Sequence, residues 1–267
     1  MKLAISGKGG TGKTTLAALL ARTLANEGRS VIAVDADPDA NLASALGLSR
    51  KQSPEPISQM KELIRERTES KNGYGTYFKI NPDVRDLPEK YSRIVHGIRL
   101  LTLGGVSTGG SGCICPESAL LKALVTHLLL RPGEVVILDM EAGVEHLGRA
   151  TAQAVSMMII VVEPGQRSTQ TAQTIRKLAE EIHIPRLAVV VNKVPPGMDL
   201  NLITRHLDGL PLLGALSLDP SIAQADLEGC SPFTGHEPQT TEIRTILDAI
   251  AANTAVGCRL KAEGCEP

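Results

Sequence analysis

Nine residues near the start of the chain, Gly7-Lys8-Gly9-Gly10-Thr11-Gly12-Lys13-Thr14-Thr15, constrain the fold more than any other feature. They follow a short apolar run, residues 3–6, and open a helical pattern over residues 13–27. A strand, a glycine loop closed by Gly-Lys-Thr and a helix make a phosphate cradle. The glycines let backbone N–H groups turn toward phosphate oxygens, and the helix start adds a favourable dipole. In that frame Gly9, Gly10, Thr11 and Gly12 lend their backbone to ATP or ADP, and Lys13 reaches the β- and γ-phosphates. Thr14 ligates Mg²⁺ and Thr15 bonds the α-phosphate. Lys8 is a second lysine that one nucleotide does not need. It makes sense if it crosses to a partner subunit's phosphates, in the manner of an arginine finger; the competing reading is a solvated surface lysine.

Apolar β-branched runs then recur with helical segments between them, the pattern of βαβ units. Strands are predicted over 3–6, 30–34, 98–103, 135–139, 157–162, 187–191 and 212–215. Helices are predicted over 13–27, 41–46, 57–66, 117–129, 144–154, 168–182, 200–207 and 241–251. The implied fold is α/β, a P-loop nucleotide hydrolase with a mostly parallel central sheet and helices on both faces. One domain covers residues 1–255. Residues 49–97, rich in proline and holding Tyr74, Tyr77, Phe78 and Tyr91, read as an insertion. Residues 256–267 read as a short polar, disordered tail.

Several strand ends carry polar residues, and in a parallel sheet those ends face the ligand crevice. Val34-Asp35-Ala36-Asp37-Pro38-Asp39 ends the second strand. Asp37 is the candidate to orient the attacking water, while Asp39 before a helix is equally suited to capping. Val135-Val136-Ile137-Leu138-Asp139 has the Walker B pattern and brings Asp139 to Mg²⁺ through water. Gly143 follows and can offer a backbone N–H to the γ-phosphate, the logic of a switch loop. Asn192-Lys193 ends another strand and is placed to read an adenine edge.

The second strong feature is Gly109-Gly110-Ser111-Gly112-Cys113-Ile114-Cys115-Pro116. Residues two apart on a straight strand lie about 6.5–7 Å apart, too far to share one ion at about 2.3 Å from each sulfur. The flanking glycines and proline permit the bend that sharing requires. Pro116 suits the first position of a helix, which sets Cys115 at the positive end of its dipole. Two thiolates do not fill four coordination positions, and a two-fold axis supplies two more. Cys113 and Cys115 therefore form a candidate metal site shared by two chains on a two-fold axis. Cys230, Cys258 or Cys265 offer a poorer completion, and His146 reads as structural.

Composition excludes more than it assigns. Of 267 residues, 28 are Lys or Arg and 29 Asp or Glu, so no basic footprint for nucleic acid shows. The longest apolar stretch, residues 119–130, is about 12 residues long where a membrane helix needs about 20. Met1 to Ser6 run straight into the glycine loop as a core strand rather than a signal peptide. Five cysteines make no disulfide framework. The expectation is a cytoplasmic protein with reduced thiols, binding neither nucleic acid nor membrane.

Together these segments resemble a known family. The two-lysine loop is similar to that of the nitrogenase iron protein, the MinD and ParA positioning ATPases and metal-cofactor maturation ATPases. The Asp-Ala-Asp-Pro-Asp run, the cysteine loop and Asp139-Met140-Glu141-Ala142-Gly143-Val144-Glu145-His146-Leu147 look like CooC-type ATPases, which serve nickel insertion into carbon monoxide dehydrogenase. The resemblance implies a homodimer that closes around Mg-ATP, carries Ni²⁺ or Zn²⁺ on Cys113 and Cys115, and hydrolyses ATP as it delivers the metal. It maps Lys8 onto the signature lysine and Asp37 onto the water-positioning aspartate. Acetyl-CoA synthase is an alternative client. An iron–sulfur electron donor is a rival reading, but its second cysteine after the Walker B strand is missing here. A MinD or ParA positioning device is another, and it leaves the cysteine pair unexplained.

Overall fold

The computed structural model describes residues 1–70, 77–104, 115–141, 143, 147, 149–233 and 237–262, with backbone alone at 149, 150, 237, 238 and 255–262. The chain opens with β1 (Lys2–Gly7), α1 (Lys13–Asn26), β2 (Val31–Ala36) and α2 (Leu42–Ala45). A 3-10 turn at Ile57–Gln59 leads to α3 (Lys61–Thr68), α4 (Leu87–Tyr91), β3 (Arg93–Val95) and β4 (Ile98–Thr102). Next come α5 (Pro116–Leu130), β5 (Val135–Met140), α6 (Arg149–Ala152), β6 (Met157–Val162) and α7 (Gln166–Glu181). The last elements are β7 (Leu187–Val194), α8 (Leu200–Thr204), β8 (Leu212–Ser217), α9 (Pro220–Glu228) and α10 (Glu237–Ala262).

Eight strands form one sheet in the order β3-β4-β2-β5-β1-β6-β7-β8. Every pairing is parallel except β3 with β4. β1 lies between β5 and β6, so the chain passes from one side of it to the other, and a crevice opens beyond its carboxyl end. The strands β1, β2, β5 and β6 are buried along their whole length. That is why they read as continuous apolar runs rather than alternating ones. Their side chains still divide by parity. Leu3 and Ile5 face α1 and α10, while Ala4 faces the layer of α3, α5 and α7.

All seven predicted strands are present, and so is the helical cover on both faces. The differences have local causes. The predicted helix over 57–66 is broken at Met60, which separates the 3-10 turn from α3. β3 was not foreseen, yet His96-Gly97 carries its signal. Both residues have positive φ, 50° and 78°, as a two-residue hairpin turn requires. α9 was also missed, although Asp219 caps it through Ser221 N at 2.9 Å and Pro220 fills its first position. α10 runs beyond the expected 241–251 at both ends.

The insertion grips the root of the cysteine segment. Ser58 N donates to Leu103 O at 2.9 Å. Gly104, at φ 74°, lies so close to Pro56 and Ser58 that an added Cβ would stand 2.8 Å from Pro56 Cβ. Across the sheet, Gly214 in β8 is as tightly covered, since its Cβ would meet Ile246 Cγ1 of α10 at 2.8 Å. Gly214→Val should force α10 off the sheet and cost about 1–3 kcal/mol. A thermal melt that leaves the midpoint unchanged would contradict this packing.

Candidate functional site

The phosphate loop leaves β1 under strong steric constraint. Gly7 has φ 153°, and a Cβ there would overlap the Val161 carbonyl of the neighbouring strand. Gly12 stands at φ 88° as the residue before α1, and a Cβ on it would overlap the Asn192 carboxamide. No larger residue keeps this path. Thr11 is fully buried, its N and Oγ1 both donating to Lys8 O, at 3.3 Å and 2.8 Å. Gly9 and Gly10 are exposed at the tip, Lys8, Thr14 and Thr15 are half-buried, and Lys13 is buried.

Two carboxylates stand side by side under the loop. Asp35 and Asp139 are register partners on β2 and β5, each almost fully buried. Asp35 has a structural role. Its Oδ2 accepts from Leu42 N at 2.9 Å and its Oδ1 from Asp37 N at 3.3 Å. It thereby holds the start of α2, the capping work suggested for Asp39. Asp39 instead gives its N–H to Asp37 Oδ1 at 3.0 Å. Asp139 has no such partners. Thr14 and the charge of Lys13 lie near enough to pull its pKa down, yet neither carboxylate oxygen has a partner in hydrogen-bond geometry. Burial dominates, and both carboxyls are pushed up to about 7, Asp35 also by the neighbouring Asp139. A buried carboxylate with two unused oxygens is the environment a dication relieves.

Ser6, the fully buried residue before Gly7, links the loop to the segment after β5. Its hydroxyl lies 3.2 Å from Glu141 O and 3.0 Å from Gly143 O, and it accepts from Gly143 N at 3.2 Å. Sequence reasoning had no signal for this contact, because a serine ending a strand is unremarkable.

Asn192 and Lys193, expected at an adenine edge, lie at the end of β7 and reach the phosphate loop with their side chains. Asn192 is 5% exposed, and its Nδ2 donates to Thr11 O at 2.8 Å. Lys193 Nζ donates to Gly10 O at 2.5 Å. A cavity of about 360 Å³ opens at the end of β8, lined in part by Leu19, Leu218, Asp219, Pro220 and Ser221. Leu218 N donates to Val194 O at 2.9 Å and ties the segment after β8 to the end of β7.

Cys115 is the residue before α5, as the sequence predicts, with Pro116 at the first helical position. Its sulfur, half-buried, accepts from Ser118 N at 3.4 Å. Cys113, the glycines before it and His146 lie outside the described residues, as does Cys265. Cys230 is exposed and unbridged. No helix among the described residues is long and apolar enough to cross a membrane.

The comparisons agree with this geometry. The model of the CbiA family, the CobQ/CobB/MinD/ParA nucleotide binding domain, matches residues 2–233. The carbon monoxide dehydrogenase accessory protein CooC of Rhodospirillum rubrum is 47% identical over 235 residues, 87% of this chain and 89% of that protein. An uncharacterised ATP-binding protein of Methanocaldococcus jannaschii is 42% identical over 94% of this chain and 97% of its own length. The MinD cell division protein of Aquifex aeolicus shares the fold, with a TM-score of 0.68 at 20% identity over 94% of this chain and 96% of that one. The chain thus belongs to the CobQ/CobB/MinD/ParA nucleotide-binding family, of CooC type, and it is an ATP-binding ATPase.

Proposed function

We propose that this ATPase is a homodimeric maturation factor that carries nickel to carbon monoxide dehydrogenase and hydrolyses ATP during delivery. The observation that carries the reading is the 47% identity with CooC across nearly the full length of both proteins. The paired cysteines add to it, since neither nucleotide binding nor the fold has a use for them. Nickel is cargo here, held by Cys113 and Cys115 from each of two chains. Zn²⁺ suits the same sulfur donors in a tetrahedral arrangement.

The chemistry of the nucleotide follows from the cradle. N–H groups of residues 9–15 and the buried Lys13 take the phosphates, and the cavity beside Leu218 and Pro220 takes the base. Thr14 and Asp139 would hold Mg²⁺, which spreads the negative charge of the β- and γ-oxygens. The unpartnered oxygens of Asp139 suit that role. Asp37, on the loop after β2, orients the attacking water. Lys8 reaches the partner's phosphates, so that closure of the dimer completes both sites. By linkage, metal on the shared thiolates then favours the same closed pair that ATP favours.

Three tests follow from this reading. Lys13→Met should lower Mg-ATP affinity at least about 100-fold, whereas Lys8→Ala should keep binding and lose at least about 100-fold in turnover; a fully active Lys8→Ala enzyme would refute the trans contact. Cys113→Ala/Cys115→Ala should abolish nickel stoichiometry and nickel-induced dimerisation while leaving nucleotide binding intact, read by metal analysis and mass in solution. The third test concerns stability. Without Mg²⁺ the folded pKa of Asp139 is held near 7, above the ordinary 3.8. The folded state then binds more protons than the unfolded one, and stability falls as pH rises through that window. Asp139→Asn should therefore stabilise the apoprotein by on the order of 2 kcal/mol at about pH 8 and by little near about pH 4. Urea titrations showing equal gain at both would sink the electrostatic account.

A further inference from the structure

The cysteine pair and the phosphate loop lie on different segments, so thiolates can respond to a nucleotide only through a contact inside the subunit that joins the two. The segment after β5, residues 140–147, brings Gly143 beside Ser6 but holds no cysteine. Cys115 stands instead at the start of α5. A route between them has to cross from the segment after β5 to that helix.

α6 makes the crossing. Gly143 leads through the buried Leu147 to Thr151 of α6, which is 5% exposed. Thr151 Oγ1 lies 3.0 Å from Thr126 Oγ1 on α5. The Thr126 hydroxyl gives its single hydrogen to Lys122 O at 2.7 Å, one turn back, so Thr151 is the donor between the two threonines. Leu147 and Ala152 also share one apolar layer with Leu121 and Leu124 of α5. Just beyond Thr126 the helix is pinned to the sheet, where Lys2 Nζ donates to Leu128 O at 3.2 Å.

These contacts make α5 a lever with its fixed end at Leu128 and its free end at Cys115, about 20 Å away along the axis. A tilt of about 3° about the fixed end moves Cys115 by about 1 Å, whereas a metal–sulfur distance tolerates about 0.2 Å. Apolar side chains alone set no direction for such a tilt, while a hydrogen bond between two β-branched residues does. We propose that Thr151 and Thr126 are positioning residues for the metal site, the contact through which the segment after β5 sets the angle of α5 and hence of Cys115. The proposal rests on the reading of Cys113 and Cys115 as the nickel site, which their double alanine variant tests separately.

A contact of this kind gives nickel different affinities in the diphosphate and triphosphate forms. Nickel binding is measured on the full chain at one protein concentration, once with Mg-ADP and once with Mg-AMPPNP, a triphosphate that is not hydrolysed. The two wild-type affinities are expected to differ about tenfold. Thr151→Val removes the donor while Thr126 keeps its bond to Lys122 O, so no buried donor is orphaned. It should bring the two affinities within about twofold of each other, with Mg-AMPPNP binding in the absence of nickel unchanged, and Thr151→Ser should keep the wild-type ratio. A merely structural role would weaken nickel equally with both nucleotides and leave the ratio alone. Equal wild-type affinities, or a wild-type ratio that survives in Thr151→Val, would overturn the inference. Thr126→Val cuts the same bond from the other side and serves, with the same two outcomes, if Thr151→Val does not fold. Nickel retained by Cys113→Ala/Cys115→Ala would sink the metal reading itself. Nickel lost there, with the ratio intact in Thr151→Val, would leave that reading standing and remove the lever alone.

Discussion

The close contact between Gly7 and the Val161 carbonyl is the constraint from which the rest of the site follows. β1 is held in register by β5 on one side and β6 on the other. Its last residue has no room for a side chain, so the chain must leave the sheet there by one route. That exit brings Thr11 into the interior and starts α1 over the apolar face of Leu3 and Ile5. The phosphate loop is therefore positioned by the packed sheet rather than by its own sequence alone. A nucleotide arriving at it meets amides that need no further ordering, which favours affinity.

Electrostatics beneath the loop work in the opposite sense. Asp35 and Asp139 are buried neighbours, and the protein stabilises their charges poorly. Asp35 is compensated by two backbone amides, whereas neither oxygen of Asp139 has a hydrogen-bond partner. The apoprotein thus carries an unfavourable charge at the place where the metal-bound nucleotide is to sit. Such local destabilisation is common at sites that bind ions, because an empty site with every group satisfied would have little to gain from its ligand.

Much of this was legible in the sequence, and for definite reasons. The strands β1, β2, β5 and β6 are unbroken apolar runs, and the glycine loop sits in the strand-to-helix frame that gives it meaning. Pro116 announced the start of α5 and placed Cys115 before it. The failures were of two kinds. Short elements such as β3 and α4 bury too few residues to leave a periodic trace, and they depend on turn chemistry at His96-Gly97 and on Pro88. The other concerned contact. Asn192 and Lys193 lie at the expected strand end, but a sequence does not tell that their side chains reach the carbonyls of residues 10 and 11. The same holds for Ser6, whose partners lie up to 137 residues away.

The contact of Ser6 with Gly143 also bears on how a nucleotide could be sensed. The Gly143 amide cannot serve the serine hydroxyl and a phosphate oxygen together. Any approach of that amide to the nucleotide is an exchange of acceptors, one hydrogen bond surrendered as another forms. Exchanges of this kind have a small net free energy and are readily reversed. A loop anchored in this way can toggle with each catalytic cycle instead of locking after the first.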